Sequence, residues 1–158
     1  MRPLDYARRL YKHLDLKTPP VNLVAVLKAV DISVQQDDLA GHADGYAVQM
    51  NERPLIIVDR KLALGRKRWT IAHELAHCLI PEHRGKLARN GRDRRREREA
   101  DIFARELLMP APLVKKWWKE SRSSGRDPDV KQMAWDFQVS RTAMSIRLEE
   151  LGLAEGML

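Results

Sequence analysis

The stretch from Trp69 to Ile80 most constrains what this chain can fold into, because it carries His73, Glu74 and His77 in the pattern H-E-x-x-H. Residues four apart on a helix lie one turn above each other on one face. His73 and His77 can therefore offer two imidazole nitrogens to a single metal ion. Glu74 projects about 100° round from His73. It is angled away from ligation but within reach of a water at the ion, where a metal-dependent peptidase keeps its general base. Ile71, Leu75 and Leu79 fall on the opposite side as an apolar stripe that can anchor the helix in a core. No proline interrupts the run from Arg66 to Ile80, and Pro81 follows as a stop. Two histidines on a helix are also an ordinary surface pattern, so the metal reading depends on a third ligand.

A catalytic zinc takes three protein ligands and keeps one position open. The segment from Arg96 to Pro110 offers the third. At helical spacing Ala100, Phe103, Ala104, Leu107 and Leu108 make its apolar face. Glu97 lies at the margin of that face, and Asp101 follows one turn later on the same side. Glu99 points instead with Ile102 and Glu106, away from it. The expected third ligand is therefore Glu97. Asp101 is expected to accept the free N–H of a ligating histidine, which fixes its tautomer and orientation. The alternative is that both carboxylates pair at the surface with the many arginines nearby.

On these residues the chain resembles the ImmA/IrrE metallopeptidases. Their pattern F/W-T-x-A-H-E-L-x-H, followed by E-x-E-A-(N/D)-x-F-A-x-x-L-L-M-P, is matched by Trp69 to His77 and then by Glu97 to Pro110. Ala76 stands where Gly is common, Trp69 where Phe is common and Asp101 where Asn is common. That last departure makes the Glu97/Asp101 pair look like the E-x-x-x-D pair of the broader gluzincins. A further similarity, A-x-x-F-x-V-S-x-x-A-M-x-x-R-L-x-x-L-G, runs from Ala134 to Gly152. The resemblance implies a minimal zincin-like core with an attached helical module, and zinc as cofactor, with Mn2+ or another divalent ion as alternatives. It also implies a narrow protein substrate: a helix-turn-helix transcriptional repressor, cut so that stress-response or mobile-element genes are released.

Composition bounds these readings. The 158 residues suit one compact unit with a small helical appendage. We expect residues 1–119 to form the peptidase domain and residues 120–158 a helix-turn-helix-like module packed on it. Charged residues at 32% and apolar ones at 44% describe a soluble globular chain. No apolar run approaches the roughly 20 residues a membrane helix needs, and the beginning Met1-Arg2-Pro3-Leu4-Asp5 lacks an apolar signal segment. The single cysteine, Cys78, fits a reducing compartment. We expect a cytoplasmic protein without membrane contact, and Cys78 as a core residue directed away from His73. The net charge of +7 allows attraction to nucleic acid or to an acidic protein.

Along the chain, Leu4 to Leu14 and Val21 to Val30 read as helices covering a small sheet. Ile32 to Gln35, Tyr46 to Met50 and Leu55 to Val58 read as strands, the last two joined by a turn at Asn51 to Pro54. The class is α+β, with the sheet packed on the H-E-x-x-H helix and the third-ligand helix. An edge of the hairpin is a candidate for holding an extended substrate by strand addition; plain core sheet is the alternative. His42 in the loop before it reads as solvated. Arg66, Lys67 and Arg68 crowd a helix start, the wrong end for cations, and read as a charge-paired turn. Glu82 to Arg96, with Arg84, Lys86, Arg89 and Arg92, reads as a basic loop between the two ligand-bearing helices, solvated or partner-binding. His83 within it is a candidate contact for the substrate or its oxyanion.

Leu113 to Lys119 carries Trp117 and Trp118 as packing residues, and Glu120 to Pro128 is a linker. Val130 to Leu151 reads as helix, tight turn at Gln138-Val139, Ser140 as N-cap, and helix. Its second helix could enter DNA with Arg141 and Arg147, but packing or docking a protein partner is the favoured role. Two functions remain. One is a zinc-dependent endopeptidase with Glu74 as base; the other is a regulator that binds DNA or a repressor without cutting it.

Overall fold

The computed structural model describes residues 1–84, 93–125 and 128–154. Helix α1 (Pro3–Arg8) passes into a 3-10 turn over Arg9–His13, where a single helix to Leu14 was expected. In that tighter winding residues three apart eclipse, and Arg8 and Tyr11 both reach the Glu106 carboxylate, at 2.9 and 2.8 Å. Helix α2 (Leu23–Ala29) starts on the side chain of Asn22, which accepts from the Ala25 N–H. Contrary to expectation, α1 lies along the helix that carries Glu97 and Asp101 rather than covering the sheet.

Strands β1 (Ser33–Asp37), β2 (Gly45–Met50) and β3 (Arg53–Asp59) form a three-stranded sheet in the order β1-β3-β2. β2 and β3 are an antiparallel hairpin, while β1 joins β3 in parallel. The hairpin turn is made by Asn51 and Glu52 with φ of 52° and 66°. Two consecutive left-handed residues match the right-handed twist of the strands they join. Val34, Ile56 and Ala47 share one row across the sheet, and Ile56 and Ala47 are buried.

Against β2 and β3 lies α3 (Leu64–Leu79), which bears the H-E-x-x-H residues. Its most buried positions are Ala72, Leu75 and Ala76, with Ile71 and Leu79 at the margin rather than at the centre of the stripe. Small side chains explain the shift. Helix α5 (Arg94–Leu108) packs on α3 and likewise buries alanines, Ala100 and Ala104, so the two backbones approach closely. Asp93 caps α5 by accepting from the N–H groups of Arg95 and Arg96. Between the two, Pro81 ends α3 and at once opens a short turn of helix, α4 (Pro81–Arg84). Of the expected basic loop, Lys86, Arg89 and Arg92 lie outside the described residues, and Arg94 to Arg96 are already helical.

Helix α6 (Ala111–Ser123) runs four residues beyond the expected Lys119, which shortens the linker. Trp117 and Trp118 pack against the core, and Trp117 Nε1 donates to Asp136 at 2.9 Å. Helices α7 (Val130–Phe137) and α8 (Arg141–Glu150) follow, joined through Gln138 at φ 56° and capped by Ser140, whose hydroxyl accepts from the Ala143 N–H. One apolar cluster runs from Leu75 and Phe103 to Phe137, Met144 and Leu148. Arg147 is not available to DNA: it is buried and donates to the Glu106 carboxylate and to the Met109 carbonyl. The exposed positions of α8 are Arg141, Thr142, Glu149 and Glu150, a face with two acids that does not suit a phosphate backbone. Among the described residues no helix is long and apolar enough to cross a membrane.

Candidate metal centre

Close packing of α3 on α5 lays two matched pairs of side chains against each other, His73 and His77 on one helix and Glu97 and Asp101 on the other. His73 Nε2 is 2.8 Å from Glu97 Oε2, and His73 Nδ1 is 2.8 Å from Asp101 Oδ1. His77 Nε2 is 3.3 Å from His73 Nε2 and 3.2 Å from Glu97 Oε1. One donor atom from each of His73, His77 and Glu97 thus lies within 4.8 Å of the other two, and these residues form a group that could hold a metal ion. Donors bound to a tetrahedral zinc at about 2.0–2.2 Å stand roughly 3.3–3.6 Å apart. The donors here stand 2.8–3.3 Å apart, at or slightly inside that spacing, and two imidazoles with a carboxylate are a donor set suited to a divalent cation of that kind. Asp101 occupies the other nitrogen of His73, on the side away from the convergence point.

The charges follow the same geometry. Burial opposes a charged His73, but the bonds to Asp101 and Glu97 outweigh it and raise the imidazole to about 10. His77 is pushed down to about 4 by burial and by the neighbouring His73 charge. The bond from His73 holds Glu97 at about 2, against the opposing effect of its partial burial. Both of these shifts share one cause, the 2.8 Å contact between His73 Nε2 and Glu97 Oε2. Glu74, one residue from His73, is largely withdrawn from water. Burial pushes its carboxyl up to about 7, the nearby Glu97 adds to this, and the His73 charge opposes it. A carboxyl poised near neutrality can accept and return a proton at physiological pH.

Two residues are placed otherwise than the sequence suggests. His83 cannot touch a substrate or its oxyanion from where it lies. It is fully buried, with Nδ1 2.9 Å from His77 Nδ1 and Nε2 3.1 Å from Glu99 Oε1. Glu99 does not point to solvent but reaches this histidine. Helical spacing could not find the contact, because its partners come from three separate turns of chain. His42 is exposed and outside the cluster, and Cys78 is buried. Of the cations at the start of α3, Arg66 pairs with Asp44 at 2.7 Å and Arg68 donates to the Val21 carbonyl at 2.7 Å.

The surroundings leave room for a polymer. β2 is an edge of the sheet, and it meets α3 at Gly45, where a Cβ would come within 2.6 Å of Thr70 Cγ2. Thr70 is one turn before Glu74. Beside Asp101 a groove of about 490 Å³ opens between α3, α5 and α8, lined among others by Asp44, Trp69, Arg105 and Ile146.

Residues 27–149 match a peptidase family described as the IrrE N-terminal-like domain. No curated protein sequence matches the chain. Among solved structures, a Mycobacterium tuberculosis transcriptional regulator is similar with a TM-score of 0.66 and 20% identity over 93% of this chain. The chain spans 46% of that protein's length, and at this identity the likeness concerns the fold.

Proposed function

The chain belongs to the peptidase family of the IrrE N-terminal-like domain, and on that premise we propose that it is a metal-dependent endopeptidase of narrow specificity, with Glu74 as its proton carrier. The observation that supports this most is the convergence of His73, His77 and Glu97 on one point beside a carboxyl with a pKa near 7. When bound there, a divalent ion, zinc in the first instance, supplies Lewis acidity to a peptide carbonyl and acidifies water. His73 and His77 would hold it through Nε2, and Glu97 through its carboxylate. Asp101 accepts from His73 Nδ1 and keeps that ring turned toward the centre.

Glu74 accepts a proton from the attacking water on a carboxylate oxygen, holds it, and returns it to the departing amine nitrogen. The free edge of β2 binds the substrate backbone in extended form. The groove along α3, α5 and α8 then takes side chains on one side of the cut. The substrate we infer is a helix-turn-helix transcriptional repressor, cleaved in the cytoplasm to release stress-response or mobile-element genes. That inference rests on the family resemblance.

The test incubates the zinc-loaded protein with the repressor encoded beside its gene. A single new fragment is expected, lost on adding chelator and lost in Glu74→Gln, although that variant still binds zinc. A Glu74→Gln protein with full biological activity would overturn the proposal in favour of a regulator that binds DNA or a repressor without cutting.

A further inference from the structure

The two imidazoles at the centre are supported from behind in different ways. His73 leans directly on a carboxylate, Asp101. His77 leans on another histidine, and only that histidine meets a carboxylate. The local chain makes this possible. Ile80 is extended, Pro81 restarts the helix, and the His83 N–H returns to the Ile80 carbonyl at 2.9 Å. This short reversal folds the His83 ring under His77, with ring centroids 5.0 Å apart. Helix α5 then contributes twice: Glu97 in front of His77, and Glu99 at the far end of the chain behind it.

A row of hydrogen-bonding groups has a direction, and this one has a carboxylate at each end: Glu99 behind His83, and Glu97, whose Oε1 is 3.2 Å from His77 Nε2. A cation on His77 Nε2 decides between the two directions, because it takes the lone pair there. The Glu99 carboxylate can only accept, so His83 Nε2 donates to it across 3.1 Å. With a cation on His77 Nε2, the His77 proton is left on Nδ1, and His83 Nδ1 offers it a lone pair. Across 2.9 Å, His77 Nδ1 must then be the donor. With its proton on Nδ1, His77 carries its lone pair on Nε2, which faces His73 and Glu97. The reverse order sends a His77 Nε2 proton to Glu97 and sets the His83 lone pair against Glu99, which leaves Nε2 closed to a cation. His83 is fully buried and the Glu99 side chain is 24% exposed, so water does not readily take over either bond.

We propose that Glu99 and His83 are positioning residues for His77: a carboxylate–imidazole–imidazole row that sets its ring orientation and its tautomer so that Nε2 is presented to a cation. This rests on the metal reading above and extends it to two residues outside the ligand set. Neither touches substrate. Their effect is on how tightly and in what geometry His77 binds.

The experiment has two parts. The first is an imidazole proton–nitrogen correlation spectrum of the zinc-loaded wild-type protein. It should show the His77 Nδ1 proton hydrogen-bonded to His83 Nδ1 and the His83 proton on Nε2, and Glu99→Gln should populate the other His83 tautomer, because an amide can donate as well as accept. The second measures zinc affinity by competition with a chromophoric chelator, together with the ligand-field spectrum of the Co2+ form, for wild type, Glu99→Gln and His83→Gln. Zinc should bind about 10–100-fold more weakly in both variants, with an altered Co2+ spectrum. A buried histidine that only fills space would leave tautomer and spectrum unchanged. A wild-type His83 proton on Nδ1, or wild-type affinity and spectrum in the variants, overturns the proposal. If His83→Gln does not fold, the wild-type tautomer and Glu99→Gln decide. Failure of the metal reading looks different: wild type itself would take up no zinc, whatever the tautomer of His77.

Discussion

Replacing Arg147 by Met should destabilise the protein by about 3–5 kcal/mol, the range for breaking a buried ion pair from one side. The Arg147 and Glu106 side chains are 7% and 4% exposed, and the guanidinium also donates to the Met109 carbonyl at 2.9 Å and to Glu150 at 3.1 Å. Two losses combine in the variant. A buried carboxylate loses a cation in direct contact, and a backbone carbonyl loses its donor, which alone costs about 1–3 kcal/mol. Arg8 and Tyr11 still hold Glu106, so the total should not exceed that range. Adding Glu106→Leu removes the stranded charge, and Tyr11 keeps the Glu106 backbone carbonyl at 3.1 Å. The double variant should therefore recover much of the loss, with a coupling of at least about 1 kcal/mol. Urea unfolding at pH 7, followed by tryptophan fluorescence, gives all four corners of the cycle.

Burial alone would raise Glu106, but the bonds from Arg8, Tyr11 and Arg147 outweigh it and hold it below its usual 4.5. A depressed folded pKa means stabilisation that is present above 4.5 and lost as pH falls through the folded value. The gap between wild type and Arg147→Met should then narrow in acid. A single-variant cost under about 1 kcal/mol, or an additive double variant, would refute the reasoning. Glu106 is on the helix that carries Glu97, so this staple also ties the C-terminal helices to the candidate site.

Other perturbations test other parts. Gly45→Ala drives a Cβ to 2.7 Å from the Ile57 carbonyl and 2.6 Å from Thr70 Cγ2; the backbone atom cannot swing aside, so a loss of about 1–3 kcal/mol is expected by thermal or urea unfolding. In the metal-free protein His73 is raised to about 10 from 6.5, so its stabilisation is complete below 6.5 and drains away as pH rises through about 10. The urea midpoint of the chelator-treated protein should decline across that window, and a flat profile would contradict the pairing of His73 with Glu97 and Asp101. Asp101→Asn removes the negative charge of the acceptor behind His73 and should weaken zinc binding about 10–100-fold by chelator competition, with the fold unchanged by circular dichroism.

Helical periodicity alone brought His73 to His77 and Glu97 to Asp101, because both pairs are spaced by one turn, and a turn is a local property of the chain. For the same reason the hairpin, the Ser140 cap and the apolar face of α5 were legible from residue order. The meeting of the two helices was not local. Buried alanines on both helices, Ala72 and Ala76 on α3 and Ala100 and Ala104 on α5, allow a close approach, and only that approach made one centre from two separate pairs.

What tertiary structure decided is clearest on the face of α5 that helical spacing assigns to solvent. Glu99 and Glu106 look like surface acids beside Ile102, yet one meets His83 and the other Arg8, Tyr11 and Arg147. Their partners are 16 to 98 residues away in the chain, and no periodicity reports a contact between elements at such separations. A charged side chain becomes a buried one when the fold brings it a partner, and the identity of that partner is written in the packing rather than in the neighbouring residues.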